Sequence, residues 1–215
     1  MLGKGYVHRH QEALEHVRNV EGILRDKGYE VMINETAKER DATLFCITAY
    51  EEGYDLVVSI GGDGTLHETI NGLSGQGHLP KLGIVPLGTV NDFARALQIP
   101  QGPEQAIRTL TSSRVKTVDI GRLNDRLFVN VVAAGSLAES VSSVSSEDKS
   151  RLGAFAYIKE GIKELTGHSA HPLFIRHNGK VWEGDSQVDG EEGPPLPIDL
   201  GIIPRHIRVI VPEEE

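Results

Sequence analysis

Leu56-Val57-Val58-Ser59-Ile60-Gly61-Gly62-Asp63-Gly64-Thr65-Leu66-His67-Glu68 is the stretch from which the fold is read. Residues 56–60 form a near-continuous apolar run bounded by glycines, which predicts a strand covered on both faces. A glycine-rich loop follows, and residues 66–73 then predict a helix. Residues 82–86 repeat the strand signal, with helical stretches after them at 92–97 and 103–110. Upstream, Ala13, Leu14, Val17, Val20 and Leu24 fall at three- and four-residue spacing, making one apolar helix face over 11–27. Gly28 suits the end of that helix because it takes the left-handed conformation without a Cβ clash. Residues 29–33 read as a strand. Asp41 is placed to cap a second helix reaching about residue 50, ended by Gly53. Strands alternating with helices predict a parallel sheet between helical layers, a three-layer α/β domain.

Beyond residue 113 the pattern turns to strands. Residues 115–120 and 127–132 flank Asn124-Asp125, and residues 173–176 and 181–183 flank Asn178-Gly179; both read as hairpins. One helix is expected at 152–165 and a last strand at 207–211. The expected division is a nucleotide-binding α/β domain over 1–118 and a β-rich domain over 119–215.

Composition narrows the partners. Of 215 residues, 39% are apolar and 25% charged, enough for an ordinary core. Aromatic residues are only 5% and the net charge is -9, so neither a base-stacking platform nor a phosphate-backbone binder is expected, and nucleic acid is excluded as a partner. The single cysteine, Cys46, rules out an internal disulfide and a multi-cysteine zinc site; its apolar neighbours make it a small buried hydrophobe. No apolar run approaches the roughly 18 residues that span a bilayer. The expectation is a soluble cytoplasmic protein. The nine histidines, among them His8, His10, His16, His168 and His171, have no convincing set of co-ligands and read as exposed polar positions.

The chemistry lies in two loops. In Gly61-Gly62-Asp63-Gly64, glycines let the backbone approach a ligand, and the free N–H groups at the helix start favour an anion. Asp63 would repel phosphate unless a cation or water intervenes, which makes a nucleotide with Mg²⁺ the natural ligand. A tight strand-to-helix turn with Asp63 as a cap is the plainer alternative. Val85-Pro86-Leu87-Gly88-Thr89-Val90-Asn91-Asp92 has the same form. Thr89 can donate to phosphate, and Asn91 or Asp92 can meet a nucleotide or a metal-bound water, or else simply cap the next helix. Ligands gather at the carboxyl ends of strands in open α/β sheets, so both loops are expected to line one crevice.

These two stretches, with Val118-Asp119-Ile120-Gly121, Phe128-Val129-Asn130, Ala134-Gly135, Val188-Asp189-Gly190-Glu191 and Arg205-His206-Ile207, resemble the catalytic domain of bacterial diacylglycerol kinases and related lipid kinases. The resemblance implies transfer of the γ-phosphoryl of ATP to the hydroxyl of diacylglycerol, giving phosphatidic acid. It implies that Thr36, Gly62, Asp63, Gly64, Thr65, Leu66, His67, Glu68, Thr89 and Asn91 hold ATP. It further implies that Asp63, Asp92 and Asp119 organise Mg²⁺ through water. Asp63 and Glu191 would be the catalytic pair, with Glu191 the general base; Glu192 beside it is easily confused with it. His67 stands where the family usually has Asn. The implied setting is the inner face of the membrane, and family analogy favours a homodimer.

Two departures stand out. The start of the chain is too short for the family's first core strand and its phosphate loop. Trp182 to Gln187 runs straight into Val188, where the family has much of its second domain. The chain is therefore expected to be joined parts of a longer protein, with residues missing at 187/188 and near 2/3. An NAD kinase, which shares the first glycine loop, and a non-catalytic nucleotide-binding relative are the alternatives.

Overall fold

A computed structural model describes residues 3–9, 14–75, 79–130, 132–134, 175–177, 180–182, 186–188, 191–192 and 199–213. The chain divides into two units, Met1–Val129 with Leu200–Glu215, and Asn130–Asp199.

The first unit is built on a seven-stranded sheet in the order β2-β1-β3-β4-β12-β5-β6. Its strands are β1 (Gly3–Arg9), β2 (Tyr29–Glu35), β3 (Leu56–Gly61), β4 (Lys81–Pro86), β5 (Val115–Leu123), β6 (Arg126–Phe128) and β12 (Leu200–Ile210). The helices are α1 (Leu14–Asp26), α2 (Asp41–Glu51), α3 (Asp63–Gly72), α4 (Asp92–Ala96) and α5 (Pro103–Thr109). Strands β2, β1, β3 and β4 run parallel, as the alternation of strand and helix predicts. All six residues of β3 are buried, which accounts for its unbroken apolar run. Strand β12 is parallel to β4 and antiparallel to β5, and β5 and β6 form the hairpin expected around Asn124-Asp125. Asn124 takes a left-handed φ of 51° there, a conformation its short polar side chain tolerates.

The core draws on both layers: Val17, Val20 and Leu24 of α1, Leu66 and Ile70 of α3, the strand residues, and Ile207 and Val209 of β12 are all buried. Cys46 is buried as expected, and burial pushes its thiol up to about 12, so it acts as packing. Helices α2 and α3 approach closely at Gly72, where an added Cβ would meet the Thr43 carbonyl oxygen and Cys46 Cβ. Gly72→Ala is expected to destabilise the unit by about 1–3 kcal/mol, because both obstacles are fixed to backbone. Urea unfolding checks this; an unchanged midpoint would mean the helices separate freely.

Several expectations change. The amino-terminal residues do form a core strand: β1 lies between β2 and β3, with Gly5–Arg9 in register with Leu56–Ile60. Its sequence Gly-Lys-Gly-Tyr-Val-His-Arg is no apolar run; backbone pairing on both sides makes it a strand. The first unit extends past the expected boundary at 118 to Val129 and resumes at Leu200, because β5 and β6 continue the large sheet and β12 joins them to β4. Strand β12 is also longer than expected, irregular between Ile203 and Ile207, with Arg205 at φ 53°.

The second unit contains β7 (Val132–Ala134), β8 (Ile175–His177), β9 (Lys180–Trp182), β10 (Ser186–Val188) and β11 (Glu191–Glu192). Strands β8 and β9 pair about Asn178-Gly179 as predicted, and β10 lies between β11 and β7. Gln187 and Val188 of β10 pair with Ala133 and Val132 of β7. The helix expected at 152–165 lies outside the described residues.

Candidate active site

Strands β3 and β4 are in register from Leu56↔Lys81 to Gly61↔Pro86, so their following loops leave the sheet side by side. They touch at once. Leu87 N–H donates to Gly61 O at 2.8 Å. A Cβ on Gly88 would lie 2.7 Å from Gly62 Cα and 2.7 Å from Asn91 Oδ1. Two backbones this close leave room for no side chain at either glycine.

Asp63 locks the loops together. Its Oδ2 accepts the Asn91 N–H at 2.8 Å and its Oδ1 the Asp92 N–H at 3.1 Å. It is the first residue of α3, and the groups it holds open α4, where no carbonyl of the preceding turn is available to them. Asn91 completes the second loop from inside. It is buried, with a left-handed φ of 53°. Its Oδ1 accepts from Gly88 N–H at 3.0 Å, while its Nδ2 donates to Gly88 O at 2.7 Å and Gln101 Oε1 at 3.2 Å. Arg95 Nε donates to Val90 O at 2.6 Å, bracing the same loop.

At α3 the first intrahelical bond runs from Leu66 N–H to Gly62 O at 3.0 Å, so the N–H groups of residues 63–65 precede the helical ladder. Gly62, the N-cap, is extended and supplies no side-chain cap. Gly64 is exposed, and a Cβ placed on it would meet nothing within 4 Å. Thr65 packs over Gly61, its Oγ1 2.7 Å from where a Cβ on Gly61 would stand. Leu66 is buried and serves packing. Thr89 is exposed beside Gly88.

Glu68 turns away from the glycine loops to the start of α2, its Oε1 accepting from Arg40 N–H at 2.9 Å and its Oε2 from Ala42 N–H at 3.1 Å. Asp41 is the first residue of α2, where a cap was expected. Its Oδ2 accepts from Ala37 N–H at 2.9 Å and Lys38 N–H at 3.0 Å, and these bonds, Ala37's foremost, hold its carboxyl below the ordinary value. Together the two carboxylates shape the loop that Thr36 opens after β2, at the same sheet edge as Asp63. His67 lies on α3 beside Asn71, which reaches Leu127 of β6.

Asp119 is apart from this group. Its Oδ1 accepts the Arg205 N–H at 2.7 Å, on the irregular part of β12. Val209 pairs with both Leu82 and Lys116, which sets Asp119, three residues further along β5, toward the starting edge of β4. Glu191 begins β11 and pairs with Val188, in the second unit. Among the described residues no three His, Cys, Asp or Glu side chains form a metal-holding group. Each Asp63 oxygen already takes one N–H. A carboxylate oxygen that accepts one N–H keeps a second lone pair, so Asp63, with Asp92 beside it, suits a hydrated cation brought in on a ligand. Asn71, Arg95 and Gln101 were missed in the sequence reading, and Asp41 was read only as a helix cap; their partners lie on other elements or follow no residue spacing.

Comparison with known proteins bears on the family and the fold. Residues 9–123 match the family model described as the diacylglycerol kinase catalytic domain. A diacylglycerol kinase of Staphylococcus haemolyticus (strain JCSC1435) is 40% identical over 163 residues, covering 76% of this chain and 49% of that protein. A diacylglycerol kinase of Staphylococcus aureus (strain JH9) is also 40% identical over 163 residues, covering 76% of this chain and 52% of its own. The chain thus spans about half the length of the curated relatives it matches. In fold, it is similar to a crystal structure of a diacylglycerol kinase from Bacillus anthracis str. Sterne, with a TM-score of 0.80, 22% identity and coverage of 97% of this chain and 96% of that one. With more than half of its residues inside the family match, the chain belongs to the diacylglycerol kinase catalytic domain family.

Proposed function

We propose that this chain carries the catalytic machinery of an ATP-dependent lipid kinase that phosphorylates the hydroxyl of diacylglycerol at the cytoplasmic face of a membrane. The observation that carries the reading is the joined pair of loops, with Asp63 closing them and the start of α3 facing outward at Gly64. Phosphoryl transfer needs positioning and charge neutralisation more than covalent chemistry, and this arrangement supplies positioning. The N–H groups at the start of α3 and the Thr89 hydroxyl bind phosphate oxygens; Gly62 and Gly88 let the chain lie flat against them. Asp63 and Asp92 would face a Mg²⁺ ion carried on the triphosphate, whose charge would offset theirs. The lipid oxygen bonds to the γ-phosphorus as the bond to the ADP oxygen breaks, and Glu191 takes the hydroxyl proton.

Among the described residues no helix is long and apolar enough to cross a membrane. The proposed attachment is peripheral, and the proposed assembly is a homodimer. NAD kinase chemistry would use the same first loop.

The test is radiolabelled ATP offered to the full chain with diacylglycerol vesicles and, separately, with NAD. Label in phosphatidic acid supports the reading; label in NADP moves it to the alternative. Nucleotide binding without either product makes the chain a non-catalytic relative. Glu191→Gln is expected to lower turnover on diacylglycerol by about a hundredfold while leaving ATP affinity unchanged. Full turnover in that variant removes Glu191 from its role.

A further inference from the structure

The backbone N–H groups of the second glycine loop divide into two sets. Those of Leu87, Gly88, Asn91 and Asp92 are taken, by Gly61 O, by Asn91 Oδ1 and by the two oxygens of Asp63. Thr89 and Val90 come between them, and among the described residues their N–H groups have no partner. Thr89 is exposed and Val90 half-buried, so these are donors left for solvent or a ligand. Asn91 keeps Gly88 in the first set, and behind Asn91 stands Gln101. Gln101 Nε2 donates to Ile99 O at 3.0 Å. A carbonyl oxygen can only accept, so the other end of this amide is Oε1, which accepts from Asn91 Nδ2 at 3.2 Å. Asn91 Nδ2 carries two hydrogens and has two acceptors, Gly88 O at 2.7 Å and Gln101 Oε1. Its Oδ1 is left to take the Gly88 N–H at 3.0 Å. Both amides are thereby fixed in orientation.

We propose that Gln101 is a positioning residue of the nucleotide site: through Asn91 it fixes the second loop so that the N–H groups of Thr89 and Val90 stay free to bind phosphate oxygens. The proposal rests on reading the joined glycine loops as the triphosphate site. Gln101 itself touches no ligand. It lies in the connection between α4 and α5, and its anchor Ile99 is buried, so the chain of bonds starts from the core. Helix α4 is thus held at both ends, by Asp63 at its first residue and by Gln101 after its last. Without the Gln101 amide one hydrogen of the buried Asn91 loses its acceptor, an expensive vacancy in such a place. The side chain is then drawn off Gly88, and the loop bends as Gly88 N–H and O find new partners.

Gln101→Met keeps the length of the side chain and removes the amide. Well below its melting temperature, the folded variant is expected to bind ATP with Mg²⁺ about five- to tenfold more weakly in calorimetric titration. A merely structural role would lower the melting temperature and leave the affinity of the folded chain alone. Gln101→Asn, one methylene shorter, cannot reach Ile99 O and Asn91 together and is expected to show the same loss. Amide ¹H–¹⁵N spectra of the labelled full chain supply the second readout. In Gln101→Met the Asn91 side-chain amide is expected to move before any ligand is added; in the native chain ATP with Mg²⁺ is expected to shift Thr89 and Val90. Native affinity in both variants, or an unmoved Asn91 side-chain amide in Gln101→Met, overturns the proposal. Should neither variant fold, the native spectrum decides. If the Gly64 amide shifts with ATP while Thr89 and Val90 do not, the role of Gln101 is wrong and the nucleotide site at α3 stands. If none of the three shifts, the nucleotide reading itself fails.

Discussion

Asp63→Ala is expected to cost both turnover and stability, and the joint loss is what distinguishes a clamp from a simple charge. In the native chain its two oxygens hold the N–H groups of Asn91 and Asp92, at 2.8 and 3.1 Å. Alanine leaves both without their partner beside a buried Asn91, at a cost of about 1–3 kcal/mol. For a chain of this size that lowers the melting temperature by several degrees, since each kcal/mol is worth about 2–4 °C. The second loop then no longer holds its distance from the first. Misplacement of about 1 Å between substrate-positioning groups can reduce a rate by about a hundredfold, so kcat/KM is expected to fall at least that far. Asp63→Asn keeps one acceptor oxygen and should recover part of the stability but little of the turnover. Thermal unfolding without nucleotide, beside the vesicle assay, checks both. Unchanged melting with lost turnover would mean that Asp63 acts on the cation alone; full turnover would remove it from the site.

What the sequence could announce follows from where the information lies. Strand β3 was legible because burial on both faces leaves an unbroken apolar run, and the glycine loops because close backbone approach admits almost no other residue. Strand β1 was not legible: its place between β2 and β3 comes from pairing with strands that lie later in the chain, and its own residues carry no pattern of it. The extent of the first unit was not legible for the same reason. Strand β12 returns from the far end of the sequence to stand between β4 and β5, a long-range pairing with no local mark. In the site, residue types were legible and their directions were not. Glu68 looks like a ligand of the nucleotide in the sequence, yet both its oxygens serve the start of α2. Asn91 looks like a ligand or a cap, yet its amide is spent on Gly88 and Gln101. The order of residues along a loop does not say which way a polar side chain turns.

Gly64 separates the needs of the fold from those of the ligand. Gly62 and Gly88 are glycines because their loops touch; a Cβ at either would press on the other's Cα. Gly64 has no such reason. A Cβ there meets nothing within 4 Å, its φ is not in the left-handed region, and it lies in the first turn of α3, where alanine would serve a helix better. Glycine in a helix costs up to about 1 kcal/mol relative to alanine. The chain bears that cost with no return inside the protein, which is the expected mark of a place kept clear for a ligand lying against backbone N–H groups. Gly64→Ala is therefore expected to hold or raise the melting temperature by up to a few degrees while weakening ATP binding at least about tenfold, a change of about 1.4 kcal/mol. Gly88→Ala, by contrast, should lose stability and binding together, because its methyl would strike the Gly62 backbone. Calorimetric titration with ATP and Mg²⁺, set beside melting curves of both variants, makes the comparison. Native ATP affinity in Gly64→Ala would show that the triphosphate does not lie against the start of α3, and the proposed site would have to move.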